Sequence, residues 1–315
     1  MIIVTGGCGF IGSCLVGKLI EEQYEVVVVD DIGSEKKWKN LRNKKIMDFW
    51  SIDEFLHKTK GTILGCELIF HLGAITSTIE QDVDLLMKYN YEFSKMVYSY
   101  CQREKIRMIY ASSASVYGKA IDGFSESSQK IPENAYAYSK LLFDQWIEKQ
   151  NSLQQCVGLR FFNVYGPNEY HKGMMASVVL HFYNEIKNNG FVNIYKSNRP
   201  DIAHGEAKRD FIYVFDVVDV LLFFLHHGQY NGIYNLGTQQ SSSYNQLANS
   251  IFQELDMEPH IQYIDMPQEI VDSYQYWTQA DIKALRSIGY ARKFYSLEQG
   301  IHDYITNYLK EGLYF

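Results

Sequence analysis

Two groups of residues in this 315-residue chain have types and spacings suited to chemistry. The first is TGGCGFIGS, from Thr5 to Ser13, in which Gly6, Gly9 and Gly12 recur at every third position. Glycines so spaced permit a tight turn and let backbone N–H groups approach a pyrophosphate, while the start of a following helix adds partial positive charge. Asp30 ends the next apolar run, about 20 residues beyond the loop, where a carboxylate accepts hydrogen bonds from the ribose of a dinucleotide. A glycine-rich turn alone is a weak signal; its place between a strand and a helix, with Asp30 beyond, makes it a strong one. Taken alone, Asp30 points to NAD, because a carboxylate repels the 2′-phosphate of NADP. Lys36 and Lys37, in the run EKKWK at 35–39, either pair with such a phosphate or stand solvated.

The second group is Tyr136, Ala137, Tyr138, Ser139 and Lys140, with the Ser-rich stretch ASSASVYG at 111–118 upstream. On a helix, positions i and i+4 share a face, so Tyr136 and Lys140 project into one site. A free tyrosine titrates near pH 10 and is a poor base at neutrality; an adjacent ammonium lowers that value and makes Tyr136 a usable general base. A chance Tyr-x-x-x-Lys is common in a chain with 25 tyrosines, so the surrounding features decide its meaning.

The elements that must position these groups follow from the apolar pattern. Runs rich in Val and Ile at 2–4, 25–30, 67–71, 107–112 and 157–164 alternate with amphipathic stretches such as CLVGKLIEEQY and DLLMKYNYEFSKMVYSYCQ. Continuously apolar strands are buried on both faces, which predicts an α/β fold with a doubly wound parallel Rossmann sheet. After about residue 165 the pattern becomes irregular, with turns at YGPNEYHKG, KNNG and KSNRPDIAHG, and a smaller α+β lobe is expected there. DFIYVFDVVDVLLFFL and GIYNLG then read as a return to the sheet. The division is therefore interleaved: 1–165 with 210–237 forms the dinucleotide-binding part, and 166–209 with 238–315 the substrate-binding lobe.

Apolar residues make up 46% of the chain and charged ones 21%, a composition that buries a core. A formal net charge of -7 opposes the phosphate attraction that nucleic-acid binding needs. No apolar run approaches the roughly 20 residues that cross a bilayer. Neither nucleic acid nor membrane is an expected partner. The five cysteines form no CxxC pair and read as small buried residues in a reducing cytoplasm, and the nine histidines show no ligand spacing, so no metal is assigned.

Together TGGxGFIG, the strand-end Ser113 before AxVYG, the Tyr136–Lys140 spacing and RFFNVYGP resemble the extended short-chain dehydrogenases over essentially the whole chain. NVYGPNEYHKGMMASV, KRDFIYVFDVVDV and YQYWTQADIKALRSIGY are similar, more narrowly, to members that invert C6 of an ADP-heptose for lipopolysaccharide core synthesis. The resemblance implies a nucleotide-sugar epimerase with bound NADP (NAD being the other possibility), a nucleotide-sugar substrate and a homo-oligomeric assembly. It implies that Ser113 hydrogen-bonds the reacting oxygen, Tyr136 exchanges its proton, Lys140 holds the nicotinamide ribose and Lys172 acts as a second base. Phe10, Ile11, Asp30, Asp31, Lys37, Leu72, Gly73, Ala74, Ile75, Thr76, Lys140, Val164 and Lys172 would then touch the cofactor, along with the glycines of the loop. Asn163, Met174, His181, Tyr195, Arg209 and Tyr274 would touch the sugar nucleotide. Met174 and Ser273 depart from the family's usual residues, as do Tyr89 and Ile52 on the cofactor side. A dehydratase of the same fold needs an Asp-Glu pair after the strand-end hydroxyl, where this chain has Ala114 and Ser115. A non-catalytic dinucleotide sensor has no need of Ser113, Tyr136 and Lys140 together.

Overall fold

The computed structural model describes residues 1–33, 36–150, 155–271 and 274–315, so Ser273 lies outside the described residues. Seven strands form a wholly parallel sheet: β1 (Ile2–Thr5), β2 (Val26–Val29), β3 (Asp48–Trp50), β4 (Leu68–His71), β5 (Arg107–Ser113), β6 (Cys156–Phe161) and, much later in the chain, β10 (Gly232–Leu236). Their spatial order, β10-β6-β5-β4-β1-β2-β3, places β1 near the middle, with the strand order reversing beside it. This is a Rossmann-like arrangement, and the crevice at such a reversal is where ligands bind.

Burial explains why these segments are strands. Every residue of β1, β2 and β4 is buried, and successive side chains point to opposite faces. Ile2, Val4, Val26, Val28, Leu68 and Phe70 join one apolar cluster, with α1 (Phe10–Glu21) and the later α7 (Val214–His226). Ile3, Val27, Val29 and Ile69 join the other, packed against α2 (Ile52–Thr59), α4 (Phe93–Glu104) and α5 (Ala135–Lys149). Helix α3 (Val83–Leu86) runs into α4 through a π-helical stretch, Met87–Glu92, where the apolar pattern predicts a single helix.

Two further departures from the apolar pattern have clear causes. The run at 157–164 is not one strand: β6 stops at Phe161, the Phe162 N–H donates to the carbonyl of Leu236, and β7 (Asn163–Tyr165) leaves the large sheet to pair with β9 (Lys208–Tyr213). Strand β3 lies at the sheet edge with only Trp50 buried, so it carries no apolar run. Beyond β7 come α6 (Val178–Asn189) and β8 (Val192–Tyr195), and beyond β10 come β11 (Ser241–Ser243), α8 (Tyr244–Glu254) and β12 (Ile261–Ile264). Strands β11, β9 and β7 form a three-stranded sheet, and β12 pairs with β8. Within 210–237, only β10 joins the large sheet. All five cysteines are free and buried. Among the described residues no helix is long and apolar enough to cross a membrane.

Candidate active site

The loop after β1 is shaped by its glycines. Gly6 adopts φ +70°, and a Cβ there would lie 2.6 Å from the Cα of Gly73. At Gly12 a Cβ would lie 2.1 Å from the Gly6 carbonyl oxygen, so the first turn of α1 presses directly on the loop. Gly9 caps α1 in an extended conformation, and no acidic residue occupies the helix's first turn to compete for its free N–H groups. Asp30 follows β2 and is buried; one carboxylate oxygen accepts from the Cys8 N–H at 2.9 Å, the other from the Lys37 ammonium at 2.8 Å. Lys37 is thus an ion-pair partner rather than a solvated lysine.

The opposite wall comes from β4 and β5. Residues Leu72, Gly73, Ala74, Ile75 and Thr76 leave β4 along the loop, with the Gly73 N–H donating to Thr5 Oγ1 and the Ile75 N–H to Asn90 Oδ1. Ser113 ends β5. Helix α5 begins one residue before Tyr136, capped by Asn134, whose side chain accepts from the Ala137 N–H. Lys140, one turn on, is buried and donates to the Ala111 carbonyl at 3.0 Å; burial pulls its ammonium down to about 8, with Asp144 working against that shift. The Tyr136 hydroxyl does not show the expected lowering. Burial raises it above its ordinary value and the Ser113 hydrogen bond opposes this only in part, so the phenol holds its proton at neutral pH. Exclusion of water from the phenolate outweighs that hydrogen bond.

Lys172 sits on a 3₁₀ turn, Tyr170–Met175, with its ammonium 5.7 Å from the centroid of the Phe10 ring and lowered from its usual range by burial. Glu169 anchors this turn. It is fully buried, accepts from Gly166 N–H and from both the N–H and hydroxyl of Ser177, and receives the Lys172 N–H on its carbonyl.

These pieces line one cleft of about 650 Å³. Gly6, Gly9, Phe10, Ile11, Gly12, Asp30, Lys37, Leu72 through Thr76, Ser113, Tyr136, Lys140, Asn163, Val164 and Lys172 all border it. Asp31 does not: it accepts from the Ile52 N–H at the start of α2. Met174, 81% exposed, His181 and Tyr195 also lie outside the lining, His181 contacting the Met174 carbonyl. Arg209 and Tyr274 stand one layer back. The guanidinium is 5.4 Å from the Tyr274 ring and 5.6 Å from that of Tyr244, which does border the cleft. Arg209 does not pair with Asp210, whose buried carboxylate accepts instead from Thr238, Gln239 and Ala280.

The donor set fits a dinucleotide: an open helix N-terminus behind a loop that tolerates no Cβ at Gly6 or Gly12, and a buried carboxylate about one strand away. Among the described residues no group of His, Cys, Asp or Glu is arranged to hold a metal ion. Sequence reasoning missed Glu169, Asn90, His71 and the buried ion pair of Asp144 with Arg160, 3.0 Å apart. Arg160, a charge inside an apolar strand run, was the one visible signal.

The family model for "NAD dependent epimerase/dehydratase family" matches residues 2–237. The ADP-L-glycero-D-manno-heptose-6-epimerase of Fusobacterium nucleatum is 42% identical over 331 aligned positions, with 100% of each chain covered. The crystal structure of the Helicobacter pylori enzyme of the same name superposes with a TM-score of 0.83 at 31% identity, over 97% of this chain and 95% of that one. The UDP-glucose 4-epimerase of Thermotoga maritima, solved with UDP-glucose, gives 0.82 at 27% identity, over 98% of each.

Proposed function

Because the chain belongs to the NAD dependent epimerase/dehydratase family, we propose that it inverts C6 of an ADP-heptose, interconverting ADP-D-glycero-D-manno-heptose and ADP-L-glycero-D-manno-heptose. The observation that carries this reading is the single cleft lined at once by the glycine loop, Ser113, Tyr136, Lys140 and Lys172. A bound nicotinamide supplies reversible two-electron oxidation of a carbinol carbon. The chain's own residues supply the rest. Ser113 orients the reacting oxygen, and Tyr136, as a phenolate favoured by the Lys140 ammonium and by the positive charge a bound oxidised nicotinamide would add, would take up the hydroxyl proton as C6 is oxidised. Lys140, beneath Tyr136 on the same helix face, holds the nicotinamide ribose and steadies negative charge on the phenol oxygen. A ketone at C6 is exocyclic and rotates about the C5–C6 single bond, which moves its oxygen across the site. Lys172 is then the second proton donor.

We propose NADP as the preferred dinucleotide, with NAD the alternative. The Asp30–Lys37 pair supports it, since the ammonium neutralises the carboxylate that would repel a 2′-phosphate. Residues 1–165 with 210–237 would hold the dinucleotide, and 166–209 with 238–315 the sugar nucleotide.

Incubation with ADP-D-glycero-D-manno-heptose, followed by NMR and mass spectrometry of the product, tests the reading. Inversion at C6 with no change in mass and no build-up of reduced dinucleotide is expected. Loss of water would make the protein a dehydratase, and steady accumulation of NAD(P)H a dehydrogenase.

A further inference from the structure

Behind the cleft wall lies a chain of buried polar side chains that the reaction itself does not use. His71, the last residue of β4, is 3% exposed and has the Phe93 ring edge-on against it at 5.3 Å. Its Nδ1 is 2.8 Å from Thr5 Oγ1, and its Nε2 is 2.8 Å from Ser94 Oγ. The Ser94 hydroxyl also lies 2.8 Å from the Asn90 carbonyl, and Asn90 reaches both the Ile75 backbone and Ser139 Oγ. Ser139 in turn donates to the carbonyl of Tyr136 at 2.7 Å.

The directions of these bonds are fixed by what each group carries. A carbonyl only accepts, so the single hydrogen of Ser94 goes to Asn90 and Ser94 Oγ must accept from His71. Nε2 of His71 therefore bears the hydrogen. With Nε2–H the donor, Nδ1 of a neutral ring is an acceptor, and Thr5 gives it its hydroxyl hydrogen while accepting the Gly73 N–H at 3.2 Å on the same oxygen. No member is left unpaired. The chain is polarised in one sense, from Thr5 through His71 and Ser94 to Asn90, and a protonated imidazole would face the Thr5 oxygen with a donor that must displace the hydroxyl hydrogen. Burial supports the neutral form by pulling the imidazole down to about 3, with the nearby Lys140 ammonium acting in the same direction.

We propose that His71 is a positioning residue: a neutral, single-tautomer imidazole that joins the turn at Thr5 and Gly73 to the π-helical turn carrying Asn90, and through Ser139 sets the backbone that bears Tyr136. The wall residues 73–75 and the Tyr136 helix turn are in this way held in one register, independent of pH across the physiological range. Asn90 gets its reach from the π-helical stretch Met87–Glu92, where an i→i+5 backbone re-aims one side chain out of the regular helical row.

Selective ¹⁵N labelling of histidine in the full chain, loaded with NADP, tests the tautomer directly. His71 should keep its hydrogen on Nε2 and show no titration between pH 5 and 8; an Nδ1–H signal, or a titration in that range, overturns the proposal. Thr5→Val and Thr5→Ser test the positioning. The role in turnover rests on the epimerase reading above, so NADP affinity, measured by fluorescence, is read beside turnover and does not depend on which sugar is used. Thr5→Val should weaken NADP binding and, with a sugar nucleotide that turns over, lower kcat at least tenfold with KM little changed, and Thr5→Ser should restore both to within about threefold. If the two variants behave alike, or if Thr5→Val leaves NADP binding and kcat intact, His71 and Thr5 are merely core.

Discussion

Burial raises the Tyr136 phenol above its ordinary value and brings the Lys140 ammonium down to about 8. Lys140 is charged below about pH 8 and neutral above it, so turnover that needs its ammonium should fall across that value by one proton's worth. In Lys140→Arg, whose guanidinium does not titrate, whatever activity remains should lack that limb. Stability moves the other way. Unfolded lysine binds its proton up to about 10.5 and the folded group releases it near 8, so the unfolded state holds more protons in that window and folding gains as pH rises through it. Lys172→Met and Tyr136→Phe should each abolish epimerisation, by roughly a hundredfold or more, and leave dinucleotide binding nearly intact. Offered the C6 ketone with reduced dinucleotide bound, each should still reduce it, to opposite epimers; if Lys172→Met changes only KM, Lys172 is a binding residue. At this scale the sequence told much about Asp30, Tyr136 and Lys140 because they stand in spaced motifs, although Asp30 reaches back 22 positions to Cys8 and Lys140 reaches 29 to Ala111. It was silent about His71 and Asn90, whose partners are 66, 23 and 49 positions away. A polar residue inside an apolar run gives no hint of which distant hydroxyl will satisfy it.

Helix α1 depends on contact with its own loop more than on its intrinsic propensity. It carries Gly12 and Gly17 and lacks a side-chain cap at Gly9, so packing against β1 and the loop has to hold it. Gly12→Ala adds a Cβ 2.1 Å from the Gly6 oxygen, and the loop must shift. Dinucleotide affinity, measured by titration calorimetry, should drop tenfold or more while the circular dichroism spectrum is kept; unchanged affinity would mean that the loop does not meet the phosphates. The strands that pair in the large sheet were legible because they are apolar on both faces. Strand β3 and the switch at Phe162 were not, since an edge strand needs only Trp50 buried, and a strand that changes sheets stays apolar throughout. The π-helical stretch was equally hidden: the 3.6-residue pattern hardly changes when one residue is added to a turn.

On the scale of the molecule, Asp210 does the joining. Its one oxygen accepts from the N–H and hydroxyl of Thr238 after β10, and the other from the N–H groups of Gln239 and Ala280, so β9, the end of β10 and the segment at 280 meet on one buried carboxylate. Asp210→Asn would turn an amide NH₂ toward two N–H donors or toward Thr238. Stability should fall by on the order of 3 kcal/mol, read as an earlier urea midpoint, whereas Arg209→Ala, one residue away, should lose far less. Strand β10 also has a consequence in time. During synthesis β1 to β6 are available once residue 161 has left the ribosome, but the free edge of β6 waits for residues 232–236. At about 5–20 residues per second that interval lasts roughly 4 to 15 s. For those seconds the nascent chain presents an apolar parallel edge that any neighbouring strand can take, so the yield of folded protein should depend on translation speed and on chaperones that cover that edge until its own last strand arrives.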